Sequence, residues 1–322
     1  PLLFLLCLLL LLALLSRYFL PKGNTLEDGI QEPELYAFLG EPENSLEAVV
    51  LGDSIPLSSF IPAYLWRDYG IPSYVCAATA QKPSDGYFLL KRFFRTQSPK
   101  VVLYETDQLY LDTAASDLLQ AEALSRLPVF QYHDSWKFVR PNRLLSSPGY
   151  TETSPLKGYH LRKTPEGLKG DPAYLAPEEM EPISFWNRLC LERTLALCRK
   201  QGTQLVLYTA PNAATWTQGK HLAMEALARE LAIPYLDANG ENLDINWNID
   251  TLDRGEHLNY RGAAKVTAWL GAYLQTQGLE DRRDSAAYAS WQEDLETFQA
   301  MVDDPENYSR PSPGRGWQGL RP

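Results

Sequence analysis

The chain has 322 residues, of which 45% are hydrophobic and 22% are charged, and its formal net charge is −10. This length is enough for one large domain or two small ones, and the composition is that of an ordinary globular protein. The acidic balance argues against a nucleic-acid groove, which needs a basic stripe. We therefore expect no nucleic acid among the partners, whereas a neutral or carbohydrate substrate is compatible with this charge.

An almost unbroken run of leucine at 2–15 opens the sequence. Leucine on every face of a terminal segment is typical of a membrane anchor or a signal-peptide core rather than of a buried helix. No small-residue cleavage site follows, so we expect residues 1–22 to be an uncleaved transmembrane signal anchor, with a cleaved signal as the alternative. Either interpretation places the rest of the chain outside the cytoplasm. Because the sequence begins at Pro1 rather than at Met, we also expect residues upstream of it.

Residues 23–44 are polar and acidic with several Pro and Gly, so we expect a linker there. Beyond them, short apolar runs of strand character alternate with segments of helical periodicity, which predicts an α/β domain over 45–277 with a parallel sheet covered on both faces. The predicted strands are 47–51, 73–77, 100–105, 204–209 and 234–236, and the predicted helices are 63–69, 84–95, 183–199, 221–231, 260–274 and 284–301.

A long irregular stretch at 112–182, rich in Pro, Tyr and Ser, interrupts this alternation. An insertion of this length just past the third predicted strand is usually functional, and we expect it to cover the carboxyl ends of the strands as one wall of a cleft. Its aromatic and polar clusters at 132–136 and 157–159 are typical of a sugar-binding face, although a small local core explains them equally well. Residues 278–322 are expected to form a C-terminal helix and a disordered tail.

Two potentially reactive side chains each follow a predicted strand. Ser54 ends Gly-Asp-Ser after the first strand, and His257 follows the fifth, in a Gly-containing turn that also holds Asp253. Working groups of an open α/β sheet gather at the carboxyl ends of its strands, so these side chains can meet as a nucleophile, its general base and an orienting carboxylate. Each piece also has a plain structural explanation, as a helix-capping turn at Ser54 and as a helix entrance with Asn259 as the N-cap.

These segments together resemble the SGNH/GDSL hydrolase superfamily, with matching stretches at 51–54, 99–107, 233–237 and 250–262. The chain is similar in particular to extracytoplasmic, membrane-anchored bacterial members, among them the alginate O-acetylation proteins and the D-alanyl transfer protein of teichoic acids. The resemblance implies a flavodoxin-like three-layer sandwich with a central parallel sheet. It also implies a serine esterase or O-acyltransferase that performs acyl-ester chemistry on a cell-envelope carbohydrate through an acyl-serine intermediate.

The resemblance assigns the nucleophile to Ser54, the general base to His257 and the orienting acid to Asp253. Family members usually carry a Gly in the second block and Gly-x-Asn-Asp in the third, where this chain has Ala-Ala-Thr-Ala-Gln and Glu-Thr-Asp. An ionised Asp only accepts hydrogen bonds and would repel an oxyanion, so we expect the oxyanion hole to be built differently. The candidate oxyanion and substrate residues are Ala78, Thr79, Gln81, Asp107 and Asn212.

Neither a cofactor nor a metal ion is expected, because glycine-rich phosphate loops are absent and the cysteine spacing matches no metal motif. The expected partners are a carbohydrate or acyl-ester substrate and the membrane, through the N-terminal helix. A membrane acyltransferase is a candidate partner. Two alternatives to envelope acyl chemistry stay open, namely a plain esterase of small esters and a non-catalytic envelope scaffold that keeps the same fold.

Overall fold

The computed structural model describes residues 1–133, 144–241 and 243–304. Within these residues the strands are β1 (Ala48–Gly52), β2 (Ser73–Ala77), β3 (Val101–Glu105), β4 (Gln204–Thr209) and β5 (Tyr235–Asp237). The α-helices are α1 (Leu2–Phe19), α2 (Pro33–Tyr36), α3 (Ser54–Ser59), α4 (Pro62–Tyr69), α5 (Pro83–Phe93), α6 (Ala115–Arg126), α7 (Pro128–Tyr132), α8 (Phe185–Gln201), α9 (Gln218–Leu231), α10 (Tyr260–Thr276) and α11 (Ala289–Asp303).

The strands form one parallel sheet in the order β2-β1-β3-β4-β5. Alternate residues of β1 point to opposite faces: Val49 and Leu51 pack with α5, α8 and α9, whereas Ala48 and Val50 pack with α3, α4 and α10. This confirms the predicted three-layer α/β sandwich, and the strand order is that of flavodoxin-like folds. The chain adds β2 on one side of β1 and then β3, β4 and β5 on the other side, so the strand order changes direction between β1 and β3. Flavodoxin-like folds place their sites at the carboxyl ends of the strands at this point, where β1 ends.

Three helical segments differ from the sequence-based expectation. The turn after β1 continues into the short helix α3, and the first part of the predicted irregular insertion forms α6 and α7. Only Leu118 and Ala121 of α6 are buried, so its apolar periodicity is too weak to be detected in the sequence. The expected tail beyond residue 304 and the residues Asp134 to Trp136 of the predicted aromatic cluster lie outside the described residues.

The segment expected to be a free linker is instead packed against the sheet domain. Asn24, Ile30 and Phe38 are buried. The Phe38 ring lies 5.9 Å from that of Tyr74 and 5.0 Å from that of Phe93, measured between centroids. The stretch is polar on average, but Leu35, Phe38 and Leu39 belong to the main core, and average composition does not reveal this.

Among the described residues, α1 is long and apolar enough to cross a membrane. Signal sequences and the core helices of soluble proteins meet the same criterion, but only 6% of this helix window is buried, which separates it from a core helix. Its last turn is attached to the domain, because the Val129 N–H donates to Ser16 Oγ at 3.4 Å and Arg17 Nε donates to the Leu144 carbonyl at 2.9 Å.

The insertion wraps around the edge of the sheet next to β2. The Val75 N–H donates to the Lys157 carbonyl at 2.9 Å, which covers this edge strand. The Lys157 ammonium is 1% exposed and contacts Glu41 at 2.7 Å and Asp294 at 2.6 Å. It therefore joins the N-terminal segment, the insertion and α11 in one buried ionic cluster.

Lys157→Met should destabilise the domain by about 3–5 kcal/mol, because it leaves the buried Glu41 carboxylate and the partly exposed Asp294 carboxylate without their cation while keeping the volume of the side chain. Chemical unfolding followed by far-ultraviolet circular dichroism measures this change. Lys169→Met, at an exposed position of the same insertion, is the matched control and should change stability by no more than about 0.5 kcal/mol. Equal stability of the two variants would contradict a structural role for the cluster.

Candidate functional site

Ser54 is held at the carboxyl end of β1 by a tight turn. The Asp53 carboxylate caps α3 by accepting the Ile55 N–H at 3.0 Å. At Gly52 a Cβ atom would lie 2.5 Å from Pro56 Cγ and 2.9 Å from Glu105 Cβ, so only glycine fits. The capping explanation and the reactive explanation of Gly-Asp-Ser therefore hold together in the same turn.

His257 lies in the turn between β5 and α10, and a buried threonine holds that turn closed. Thr251 Oγ1 accepts the Gly255 N–H at 2.8 Å and donates to the His257 carbonyl at 2.8 Å. Asn259 is the N-cap of α10, and its side-chain amide also donates to the Ile249 carbonyl at 2.7 Å. Both interactions fix the position of the His257 backbone without contacting its ring.

The two segments bring Ser54, His257 and Asp253 into one hydrogen-bonded chain. His257 Nε2 lies 2.8 Å from Ser54 Oγ, and His257 Nδ1 lies 2.6 Å from Asp253 Oδ2. Asp253 Oδ1 also accepts the His257 N–H at 2.7 Å, which fixes the carboxylate against the ring. With Nδ1–H donating to the carboxylate, Nε2 is free to accept the serine proton, as a general base must.

The charge environment favours protonation of His257. Burial lowers the pKa of His257, but the hydrogen bond and charge of Asp253, together with Glu256 and Asp53, outweigh burial and raise it. Burial raises the pKa of Asp253, and its hydrogen bonds with the His257 ring and backbone outweigh this and lower it. The imidazolium that would form after proton transfer from Ser54 is therefore stabilised.

Three carboxyl groups lie beside Ser54, at the ends of β1 and β3. Burial raises the pKa of Asp53 to about 6 and that of Glu105 well above its ordinary value, and their mutual repulsion adds to the rise in Glu105. Glu105 Oε2 accepts the Asp107 N–H at 2.8 Å. Burial at this position therefore disfavours the charged form of Glu105.

Asp107 has a cationic neighbour that the sequence reasoning missed. Lys220 Nζ, from α9, lies 3.8 Å from Asp107 Oδ1, and the side chains are 14% and 18% exposed. Burial raises the pKa of Asp107, and Lys220 opposes that rise. The two residues are far apart in the chain, so only the fold reveals that Asp107 has a cation beside it.

Two of the five candidate oxyanion and substrate residues have a structural role instead. Gln81 Nε2 donates to the Gly52 carbonyl at 2.8 Å, with a longer 3.4 Å contact to the Cys76 carbonyl, so its amide joins the ends of β1 and β2. Asn212 Oδ1 accepts the Ala214 N–H at 3.1 Å and the Thr215 N–H at 2.9 Å within its own turn. Both side chains are buried and already hydrogen-bonded. Ala78 and Thr79 follow β2, and their roles stay predictions, as does the role of Asp107.

The second half of the insertion passes beside the Ser54–His257 pair. The His160 N–H donates to the Leu57 carbonyl at 2.8 Å, and the Glu166 N–H donates to the Thr251 carbonyl at 2.9 Å. Tyr159, by contrast, is fully buried with Phe298, so it belongs to a local core and not to a sugar-binding face. Thus the part of the insertion after residue 159 passes beside Leu57 and Thr251, whereas α6 and α7 line a cavity together with residues 78–81, which follow β2.

A second His–Asp pair lies at the end of β5, where His221 Nδ1 is 2.6 Å from Asp237 Oδ2. Sequence reasoning gave His221 no such partner. For metal binding, one group of suitable ligands is found in the described residues, namely Asp253, Glu256 and His257. Both ring nitrogens of His257 are already hydrogen-bonded, to Asp253 and to Ser54, so a metal ion could bind the ring only by displacing one of these partners.

No family model and no curated protein matches the chain. Among solved structures it is similar to a provisionally assigned acylhydrolase of Bacteroides fragilis NCTC 9343, at 12% identity and a TM-score of 0.40 over 77% of this chain and 95% of that one. It is also similar to a provisionally assigned lipolytic protein of the G-D-S-L family from Desulfitobacterium hafniense DCB-2, at 11% identity and a TM-score of 0.36 over 71% and 99%. A gut microbial diltiazem-metabolizing enzyme matches at 17% identity and a TM-score of 0.24 over 74% and 48%. At this level of similarity, the geometry of the site is the basis for inferring function.

Asp253→Asn should lower the pKa of the His257 ring, because it removes the anion that hydrogen-bonds to Nδ1. Titration of the ring protons by nuclear magnetic resonance measures this, with His257→Gln to assign the signal. The wild-type pKa should lie above the ordinary value of about 6.5. Asp237→Asn is the matched control, since it should lower the pKa of His221 and leave that of His257 in place. A His257 pKa that does not respond to Asp253→Asn would contradict the hydrogen-bonded chain.

Proposed function

We propose that the protein is a serine enzyme of the SGNH type that performs acyl-ester chemistry. The observation that carries the proposal is the continuous chain from Asp253 through His257 to Ser54, with contacts of 2.6 and 2.8 Å at the carboxyl edge of the sheet. This arrangement provides a nucleophile, a general base in the required tautomer and a carboxylate that stabilises the imidazolium.

The reaction follows from these contacts. His257 Nε2 takes the Ser54 proton while Oγ forms a bond to the acyl carbonyl carbon, giving a tetrahedral intermediate. As the carbonyl re-forms, the ester bond to the leaving alcohol breaks and His257 returns the proton to that oxygen. The acyl-Ser54 ester is then attacked by a hydroxyl, from water or from a sugar, which His257 deprotonates. The bond between the acyl carbon and Ser54 Oγ breaks, and His257 returns the proton to Oγ, which releases the acid or the acylated sugar.

A cell-envelope carbohydrate is the acceptor or substrate that we propose. The rings of Tyr174 and Trp247 lie 6.4 Å apart, on two segments that flank the turn holding His257. The Ala173 N–H donates to the Ala213 carbonyl, and the Ala213 N–H donates to the Gly255 carbonyl at 2.7 Å, which connects the segment of Tyr174 to that turn. Aromatic faces at such a position suit the apolar patches of a sugar ring.

Transfer to a sugar is favoured over hydrolysis by two features. Asp107 stands where fast hydrolases of the resembling family have an amide donor, and a lost oxyanion donor typically slows turnover by about 100- to 1,000-fold. A transferase with both reactants held in place can work with slower chemistry. The insertion segment hydrogen-bonded to Leu57 and Thr251 would restrict water near the acyl-serine.

A plain esterase is the second candidate, favoured by the access of solvent to the site. The Asp253 side chain is 34% exposed and the His257 side chain is 18% exposed, so water can reach the general base. A scaffold without catalysis would not need His257 and Ser54 within hydrogen-bond distance. We therefore rank it below both enzymes.

The proposed location is the outer face of a membrane, with α1 as the anchor and a membrane acyltransferase as a candidate supplier of acyl groups. Protease added outside the inner membrane of intact spheroplasts should digest the domain, because it would be exposed there. Digestion only after lysis would contradict this orientation. A cytoplasmic marker protein monitors the integrity of the membrane.

Ser54→Ala and His257→Ala should each abolish turnover of aryl acetates, since they remove the nucleophile and its base. Asp253→Asn should slow turnover by about 10,000-fold with the fold intact, because it favours the wrong imidazole tautomer. As the pH is lowered, wild-type activity should begin to fall while the pH is still above about 6.5. The reason is that the raised pKa of His257 causes the general base to be protonated at a higher pH than free histidine is. Steady-state kinetics of the purified chain measure each effect, and His221→Ala is the control that should keep activity.

Transfer is tested by adding oligosaccharide acceptors from a broad glycan panel and measuring by mass spectrometry whether their mass increases by that of the acyl group. We expect weak hydrolysis in buffer and acyl gain on an acceptor, lost in Ser54→Ala. Rapid hydrolysis with no acylated acceptor would favour the plain esterase. No turnover at all, with an intact fold, would favour the scaffold.

Asp107→Asn should raise aryl acetate hydrolysis by about tenfold or more, because an amide can donate to the oxyanion where a carboxylate cannot. The rate constant for acetyl transfer to Ser54, measured in the pre-steady state, isolates this step. Asp112→Asn, at an exposed position nearby, is the matched control and should leave the rate unchanged. An unchanged or lower rate in Asp107→Asn would show that Asp107 does not stand in the oxyanion position.

A further inference from the structure

A cavity of about 830 Å³ lies between α2, α5, α6, α7 and the end of α1. Its size is typical of sites for small molecules. Leu20, directly after α1, and Tyr132 of α7 contribute to its wall. Ser54, His257 and Asp253 do not line it, whereas Ala78, Thr79 and Gln81, which follow β2, do, so the cavity begins beside the carboxyl end of β2.

The cavity carries positive charge in a protein with a net charge of −10. Arg92 lines it from α5, and Arg95 lines it from the turn that follows this helix. Arg92 Nη1 donates to the Tyr132 hydroxyl at 2.6 Å, and its guanidinium carbon lies 4.7 Å from the centroid of the Tyr36 ring. Within residues 1–133, 144–241 and 243–304, neither arginine forms an ion pair with a carboxylate, whereas Arg188 and Arg282 on the surface each bridge two glutamates.

The carboxylates of the cavity do not cancel this charge. Two acidic residues, Glu32 and Asp85, line it against four basic ones, which are Lys91, Arg92, Arg95 and Arg126. Arg126 is paired with Glu122 at 2.5 Å. An anion that enters the cavity would therefore meet Arg92, held in place by two aromatic side chains, and Arg95, in the turn after α5.

The position of the cavity links it to the membrane. Ten of the leucines and phenylalanines of α1 are exposed, from Leu2 to Leu14, and α1 has the length and composition of a membrane span. Arg17, Tyr18 and Lys22 follow these apolar residues and are of the kinds that gather at the membrane–water interface. Because Leu20 forms part of the cavity wall, the cavity lies at the depth of lipid headgroups when α1 spans the bilayer.

We propose that this cavity binds the phosphate headgroup of an anionic membrane phospholipid. Arg92 and Arg95 contact the phosphate oxygens, for which the guanidinium is a suitable donor. The apolar side chains of Leu35, Phe88 and Leu124, which share the cavity wall, receive the first part of the acyl chains. A lipid bound in this way would fix the orientation of the domain relative to the bilayer. The inference does not depend on the chemistry proposed for Ser54.

Native mass spectrometry of the full chain in a neutral detergent tests the proposal, with phosphatidylglycerol as the probe. We expect one saturable adduct per chain, weakened about tenfold or more in the double variant Arg92→Gln/Arg95→Gln. Arg95→Gln alone keeps the Tyr132 contact and lies at an exposed position, so it should fold normally and weaken binding several-fold. Arg229→Gln, on the surface of α9, is the matched control and should bind as the wild type does.

Two further ligands separate the sources of the phosphate. Diacylglycerol lacks the phosphate and should give no saturable adduct, and glycerol 3-phosphate lacks the acyl chains and should bind more weakly than the lipid. Equal affinity for glycerol 3-phosphate would overturn the assignment to a lipid. Equal lipid binding by the wild type and both cavity variants would overturn the site itself. Esterase activity of the same samples reports separately on Ser54.

Discussion

The contact between Ser54 Oγ and His257 Nε2 joins residues that are 203 positions apart, and the order of the parallel sheet makes it possible. The end of β1, which lies between β2 and β3, positions Ser54 through a turn that tolerates only glycine at position 52. His257 is positioned by a turn that the hydrogen bonds of Thr251 Oγ1 hold closed. A shift of either turn by about 1 Å would break a hydrogen bond whose length is 2.8 Å.

The rest of the molecule stabilises this edge of the sheet. The N-terminal segment, the insertion and α11 meet at Lys157, whose ammonium is buried between Glu41 and Asp294. Beyond this cluster the insertion continues past Leu57 and Thr251, and so reaches both sides of the Ser54–His257 contact. The fixed path of the insertion follows from the ionic cluster at one end and from backbone hydrogen bonds at the other.

Much of the fold and the three residues of the hydrogen-bonded chain could be predicted from the sequence, because local sequence patterns indicate both. Apolar runs mark the strands, and Ser54 and His257 each follow a strand within a short recognisable turn. The partners of polar side chains could not be predicted, since they depend on neighbours distant in the chain. Gln81 resembles an oxyanion donor in the sequence but donates to the Gly52 carbonyl. Likewise, the cation beside Asp107 comes from a different helix.

Covalent trapping of Ser54 is the direct test of whether His257 makes this serine a nucleophile. A fluorophosphonate reagent applied to the intact chain, followed by peptide mass spectrometry, identifies the modified residue and the rate of its modification. We expect a single adduct, on Ser54. In His257→Ala the rate of its formation should fall by about three orders of magnitude or more, while the circular dichroism spectrum stays unchanged. Absence of an adduct on Ser54, or equal labelling of Ser54 in His257→Ala, would contradict the account.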